Sequence, residues 1–157
     1  MKNVKWFLIL VAGLFLSATQ TNGQTFKADD ILGYWLNEEK DAKIEVTVVD
    51  GKYFGEIVWL KDPIDEETGK PKLDDENPDP ELQKRPVMGL QLLKEFEYEG
   101  EGLWMDGTIY DPKNGKTYKC KMTMKEIDLL YIRGYIGKAW MGLGRTTEWT
   151  RTNLDEK

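Results

Sequence analysis

The chain predicts an all-β domain, an eight-stranded antiparallel up-and-down β-barrel with a long Pro/Asp-rich loop between its third and fourth strands. Three observations carry that prediction. Apolar and polar residues alternate with a period of two, and no convincing helical stretch occurs beyond the first residues. Eight such segments follow one another, joined mostly by short turns. An open sheet of that length leaves two unpaired edges, whereas closing it removes both and encloses a small interior. A two-sheet sandwich is the structural alternative.

The elements follow in order. Leu32 to Asn37 is the first strand. Ile44, Val46 and Val48 then alternate with Glu45 and Thr47, Asp50 and Gly51 supply a tight turn, and Lys52 to Leu60 returns as the partner. Lys61 to Pro86 breaks the pattern. Val87 to Tyr98 resumes it, with Leu90, Leu92, Phe96 and Tyr98 on one face, and Gly100 and Gly102 bracket the next turn. Leu103 to Tyr110 forms the fifth strand, and Asp111, Pro112, Lys113, Asn114 and Gly115 form a turn cluster. In Lys116 to Lys125 the positions Tyr118, Cys120, Met122 and Met124 alternate with lysines and threonine. Leu129 to Ile136 and Thr146 to Arg151 complete the eight.

Closure places the first strand beside the last, so Trp35 is expected to approach Trp149 and Arg151, with a guanidinium over an indole sealing the seam. Gly33, Tyr34 and Trp35, followed by a meander and a late arginine, resemble the Gly-any-Trp signature of the calycins, the lipocalin and streptavidin class. A longer resemblance covers nearly the whole chain after residue 23. Gly33 to Trp35, Gly55 to Trp59, Asn77 to Pro80, Arg85 to Pro86, Gly89 to Leu90, Gly107 to Pro112, Gly115 to Cys120, Arg133 to Gly137 and Thr147 to Arg151 resemble the secreted bacterial domain-of-unknown-function family 2147. That resemblance implies an exported single-domain, calycin-like barrel with no assigned activity. Relatives carry cysteines around the second hairpin and before the last strand. This chain has Tyr53, Phe54, Tyr135 and Trp140 there, so no disulfide role transfers.

Composition bounds the rest. Lys2 and Lys5, the apolar run Trp6 to Leu16 and the small polar stretch Ser17 to Gly23 make the tripartite pattern of a secretory signal peptide over residues 1–23, with cleavage after Ala18 or Gly23. The apolar run falls well short of the ~20 residues that cross a bilayer, so no transmembrane anchor is expected after cleavage. No cysteine stands nearby to carry a lipid. Residues 24–157 form one domain, exported to the periplasm or released. The segment removes two lysines and no acid, so the net charge of −6 becomes −8. Such a chain repels phosphate backbones, and no nucleic-acid role is expected.

Cys120 is the only cysteine, which leaves no internal disulfide and no Cys-based zinc site, and its alternation makes it an inward-facing small hydrophobe. The chain has no histidine. Ser17, inside the signal, is the only serine, so a serine triad is impossible in the mature chain. No catalytic residue, cofactor or metal site is assigned. Asp106 and Asp111 are the carboxylates that a third-ranked reading, a carboxylate-dependent hydrolase, would use.

Two places remain for function. A barrel of this size can hold one small ligand, and Trp59, Trp104, Tyr110 and Tyr131 are the candidate cavity lining, with Arg133 a candidate anion anchor. The expected partner is a small apolar or amphipathic molecule. The second place is the loop, whose acids at 62, 65–67, 74–76, 79 and 81 read first as a solvated face and match no calcium spacing. Within it Asn77, Pro78, Asp79, Pro80 and Arg85 read as ordered elements of a flap over one barrel end, with Arg85 tied to a carboxylate. The alternative function is a cell-envelope interaction module using residues 61–86.

Overall fold

The computed structural model describes residues 25–138 and 142–155. The expected signal peptide at 1–23, with both cleavage positions, and Trp140 lie outside the described residues. Eight strands, β1 (Gly33–Leu36), β2 (Ala42–Val49), β3 (Lys52–Leu60), β4 (Gln91–Gly100), β5 (Leu103–Asp111), β6 (Lys116–Glu126), β7 (Leu129–Tyr135) and β8 (Gly144–Thr152), pair in sequence order. Each is antiparallel to its neighbours, and β1 pairs with β8 to close the barrel. Helical structure among the described residues is limited to 3-10 turns at Ala28–Ile31 and Leu82–Lys84. The up-and-down barrel predicted from alternation is the observed fold.

Turn chemistry sets the hairpins. Asp50 and Gly51 both adopt positive φ, 51° and 78°, the conformation that matches the twist of a two-residue hairpin. The fourth strand starts later than alternation predicts, at Gln91 instead of Val87. Residues 87–90 instead bond to the loop and to β3: Val87 donates to the Lys72 carbonyl and Gly89 to that of Ile57, both at 2.9 Å.

Bulges decide which side chains enter the barrel. Lys43 pairs with Trp59 while the next residue, Ile44, pairs with Ile57, so β3 carries one extra residue at Val58. On β5, Trp104 pairs with Met122 and Gly107 with Cys120, an extra residue again, with Asp106 at φ 59°. Glu95 on β4 adopts φ 62°. Each extra residue reverses the inward phase of the strand beyond it.

The interior has two unlike halves. At one end Trp35, Phe96, Trp104, Met122 and Leu130 have no exposed surface, and the turn at Ala28–Ile31 inserts Ile31 among them. Gly107 lets the Phe96 ring lie against its backbone, where a Cβ would stand 2.4 Å from the ring. Arg151 lies over the Trp35 ring at 4.3 Å. It donates to the carbonyls of Leu32 at 2.9 Å, Ile127 at 2.7 Å and Asp30, while the Trp35 indole donates to Ile31 O at 2.8 Å. One cation therefore satisfies three carbonyls from two segments, the stretch before β1 and the turn after β6, and this end is shut.

Candidate functional site

The opposite end holds a chamber of 1470 Å³, a volume that includes its mouth. Its walls are apolar, with Ile44, Ile57, Ile109, Ile132 and Trp149 among them. The inward course of β5 through β7 here is fixed by proximity: a Cβ on Gly134 would lie 3.4 Å from the Ile109 side chain, two strands away, and 3.7 Å from Tyr118 Cβ. Side chains of non-adjacent strands meet in this way only on the concave face. Gly134 contributes no side chain, and that keeps space open.

The mouth is polar. Loops and strand ends around it contribute nine carboxylates, four of them at Glu38, Glu39, Asp41 and Asp111 and the others at 62, 65, 67, 75 and 76 on the long loop, against four cations at Lys70, Lys72, Lys113 and Arg145. Lys113 bridges Glu39 and, at 2.9 Å, Asp41. Arg145 bonds Glu38 at 2.9 Å. Burial opposes ionisation of Asp41, but hydrogen bonds from Asn37 and Lys113 outweigh it and hold its carboxyl below the usual range.

The long loop is ordered in two stretches. Residues 61–73 stand at the mouth as a small hairpin, with Ile64 opposite Pro71, Asp65 N donating to Lys70 O at 2.8 Å and Lys72 N to Pro63 O at 3.0 Å. Residues 74–86 fold down the outside of the wall instead of across the opening. The cause is Tyr110. Because the bulge at Asp106 turns Ile109 inward, Tyr110 projects outward beside Thr108 and Thr117, and the loop covers it.

The contact is a closed polar network. The Tyr110 hydroxyl donates to Asp74 Oδ1 at 2.5 Å, and Arg85 donates to Asp74 Oδ2 from Nε at 2.9 Å and Nη2 at 2.7 Å. Asn77 Nδ2 donates to the same carboxylate at 2.8 Å and lies 2.9 Å from the Tyr110 oxygen. Asp74 has no exposed surface, so its charge is tolerable only with all these donors present. Burial, then the bond to Asp74, pushes the Tyr110 phenol up from its ordinary pKa. Arg85 also lies 5.6 Å over the Tyr110 ring. Asn77 Oδ1 accepts from Asp79 N at 3.0 Å, which fixes the turn through Pro78 and Pro80. Gly115, at φ 66°, admits the loop backbone: a Cβ there would lie 1.8 Å from Glu76 O.

The structure rearranges the candidate lining. Trp104 points inward but is fully buried in the packed half, away from the chamber. Trp59 faces out, because the extra residue at Val58 pairs it with Lys43, whose ammonium sits 5.2 Å over its ring. Tyr110 borders the chamber mouth, but its hydroxyl is committed to Asp74. Tyr131 and Arg133 alternate with the buried Leu130 and Ile132 and so face solvent. Tyr131 stands opposite Glu148 across β7 and β8, whose carboxylate pushes its phenol up, and Arg133 Nη1 donates to Thr146 at 3.2 Å. Arg133 is therefore no anion anchor inside the barrel, since a charge without a partner is costly to bury and the outer wall supplies both a hydroxyl and water.

The seam residues meet: Trp35 pairs with Arg151 across β1 and β8, and Trp149 is buried two positions earlier, at the chamber. Asp111 accepts from Lys113 N at 3.0 Å and from Asn114 Nδ2 at 2.8 Å, so both its oxygens serve the turn. Asp106 is exposed on its bulge. No group of three or more metal-ligating side chains occurs among the described residues. The residues that sequence reasoning missed are Asp74, hidden in an acidic run, and Gly134 and Ile109, whose inward course depends on bulges.

No curated protein matches the chain. Among solved structures it is similar to a protein described as "Protein HP1028 from the human pathogen Helicobacter pylori belongs to the lipocalin family", with 25% sequence identity and a TM-score of 0.60, covering 72% of this chain and 73% of that one. The family profile described as "Uncharacterized protein conserved in bacteria (DUF2147)" matches residues 33–151, from the first residue of β1 nearly to the end of β8. A lipocalin-like barrel with that whole-domain match makes this chain a member of the DUF2147 family.

Proposed function

We propose that the protein is an exported, non-enzymatic barrel that binds a small apolar or amphipathic molecule in the chamber at its open end. The observation that carries this reading is the chamber itself. Small barrels normally fill their interiors with side chains, and here only half is filled. A space that a void-free core would have closed is costly to maintain, because its walls forgo dispersion contacts that a ligand would restore. The lipocalin description of the Helicobacter pylori protein supports the same reading. Export rests on the tripartite pattern of residues 1–23.

The test is to purify the mature protein after exposure to a bacterial lipid extract and to identify bound molecules by mass spectrometry, beside an Ile132→Trp variant that fills the chamber. A stoichiometric apolar or amphipathic species on the parent and none on the folded variant is expected. An empty parent protein would overturn the reading.

A further inference from the structure

Resting on that chamber reading, we infer that the ligand is a cationic amphiphile, an apolar chain carrying a protonated amine or quaternary ammonium head, and not a fatty acid. Below the mouth the chamber wall is mainly apolar, with Thr147 opposite Ile132 as a neutral exception, and its charged groups stand at the mouth, so an amphiphile binds with its tail inside and its head at the rim. The rim carries nine carboxylates and four cations. Two of those cations are already committed, Lys113 to Glu39 and Asp41 and Arg145 to Glu38. Among the described residues, Asp62, Glu67, Asp75 and Glu76 have no ion-pair partner, and the remaining rim cations are Lys70 and Lys72.

Among the described residues, the chamber lining holds no cation beyond those four. Arg133, the arginine whose strand position offered an internal anion anchor, faces the outer wall. Arg85 is held by Asp74. Tyr118, beside Asn114 of the turn after β5, lines the chamber close to the rim, and an aromatic face attracts an alkylammonium head while doing nothing for a carboxylate. Field lines from a net negative rim are focused by the low-dielectric walls below it, which raises the local concentration of the opposite charge.

The test compares three ligands of equal chain length by calorimetry on the mature protein: decyltrimethylammonium, decanoate and uncharged 1-decanol. Decyltrimethylammonium is expected to bind about tenfold or more tightly than decanoate at low ionic strength, with 1-decanol between them. That ratio should contract as salt shortens the Debye length from ~30 Å at 0.01 M to ~3 Å at 1 M. It should also contract in the triple variant Asp62→Asn, Glu67→Gln, Asp75→Asn, whose thermal unfolding confirms an intact fold. Decanoate binding equally or more tightly, or a ratio indifferent to salt and to the variant, overturns the cation preference and leaves chamber binding standing. Failure of all three ligands to bind overturns the chamber reading and this inference together.

Discussion

The two ends of this barrel solve opposite problems with different chemistry. At the shut end large side chains interlock without exposed surface, and a single arginine ties two distant backbone segments together over Trp35. At the open end the interior is left unfilled, and the surrounding chain is ordered by ion pairs, turns and one buried carboxylate network outside the wall. Close packing is thus concentrated in the half away from the chamber. The open half can keep a space because its loop is fastened to the outer surface, where it needs no apolar core.

The comparison breaks most decisively at Trp35. Trp35→Ala removes the centre of the packed end and is expected to cost about 3–5 kcal/mol, read by denaturant unfolding. A loss under ~1 kcal/mol would mean that the open end holds the fold, contrary to the division drawn above. Asp74→Ala tests the other end. It leaves the Arg85 guanidinium and the Tyr110 hydroxyl without their acceptor, and breaking a buried pair costs about 3–5 kcal/mol where the charge stays buried. Arg85 is partly exposed and can turn to water, so the expected global loss is smaller, about 1–2 kcal/mol, with hydrogen-exchange protection lost across residues 74–86. Equal global losses for Trp35→Ala and Asp74→Ala would erase the distinction between a load carried by packing and a loop merely held down.

Alkaline pH sharpens the comparison, because Cys120 sits in the packed interior with its thiol pushed up to about 12 by burial. The unfolded chain ionises this thiol near its ordinary value of 9.0 while the folded chain keeps the proton. Stability from this group is therefore intact below pH 9 and is lost as pH rises toward 12. Cys120→Ala should flatten the fall in unfolding free energy over that window, and the parent thiol should resist alkylation at pH 8. The smallest effect is expected at Arg133. Arg133→Ala on the outer wall should change stability by no more than ~0.5 kcal/mol and leave chamber binding unaltered, and weakened binding of an anionic ligand would reinstate it as an anchor.

Much of the architecture was legible in alternation and turns. The run from Tyr118 to Met124 announced β6 and the burial of Cys120, Met122 and Met124, because nothing interrupts its period. The Trp35 and Arg151 contact followed from closure, since an eight-strand meander must bring its first and last members together. The cavity lining was less legible. Trp59 and Tyr110 each follow an extra residue, and a bulge is a local choice of backbone that a hydrophobicity pattern does not record. For Tyr131 and Arg133 the phase was ambiguous because β7 carries apolar residues at 129, 130, 131 and 132 in succession.

The loop at 61–86 shows the same limit. Its prolines and Asx turns marked it as ordered, and Arg85 was expected to find a carboxylate. Which of the nine acids it finds was settled by Tyr110, thirty-six residues beyond Asp74 in the chain. The sequence by itself determined the barrel, its strand order and its sealed seam, because these depend on period, turn residues and the need to remove sheet edges. Only the tertiary structure decided which half is hollow, which aromatics face it and where the loop lies. Those depend on single-residue shifts of register and on contacts between distant strands, and neither leaves a periodic trace in the chain.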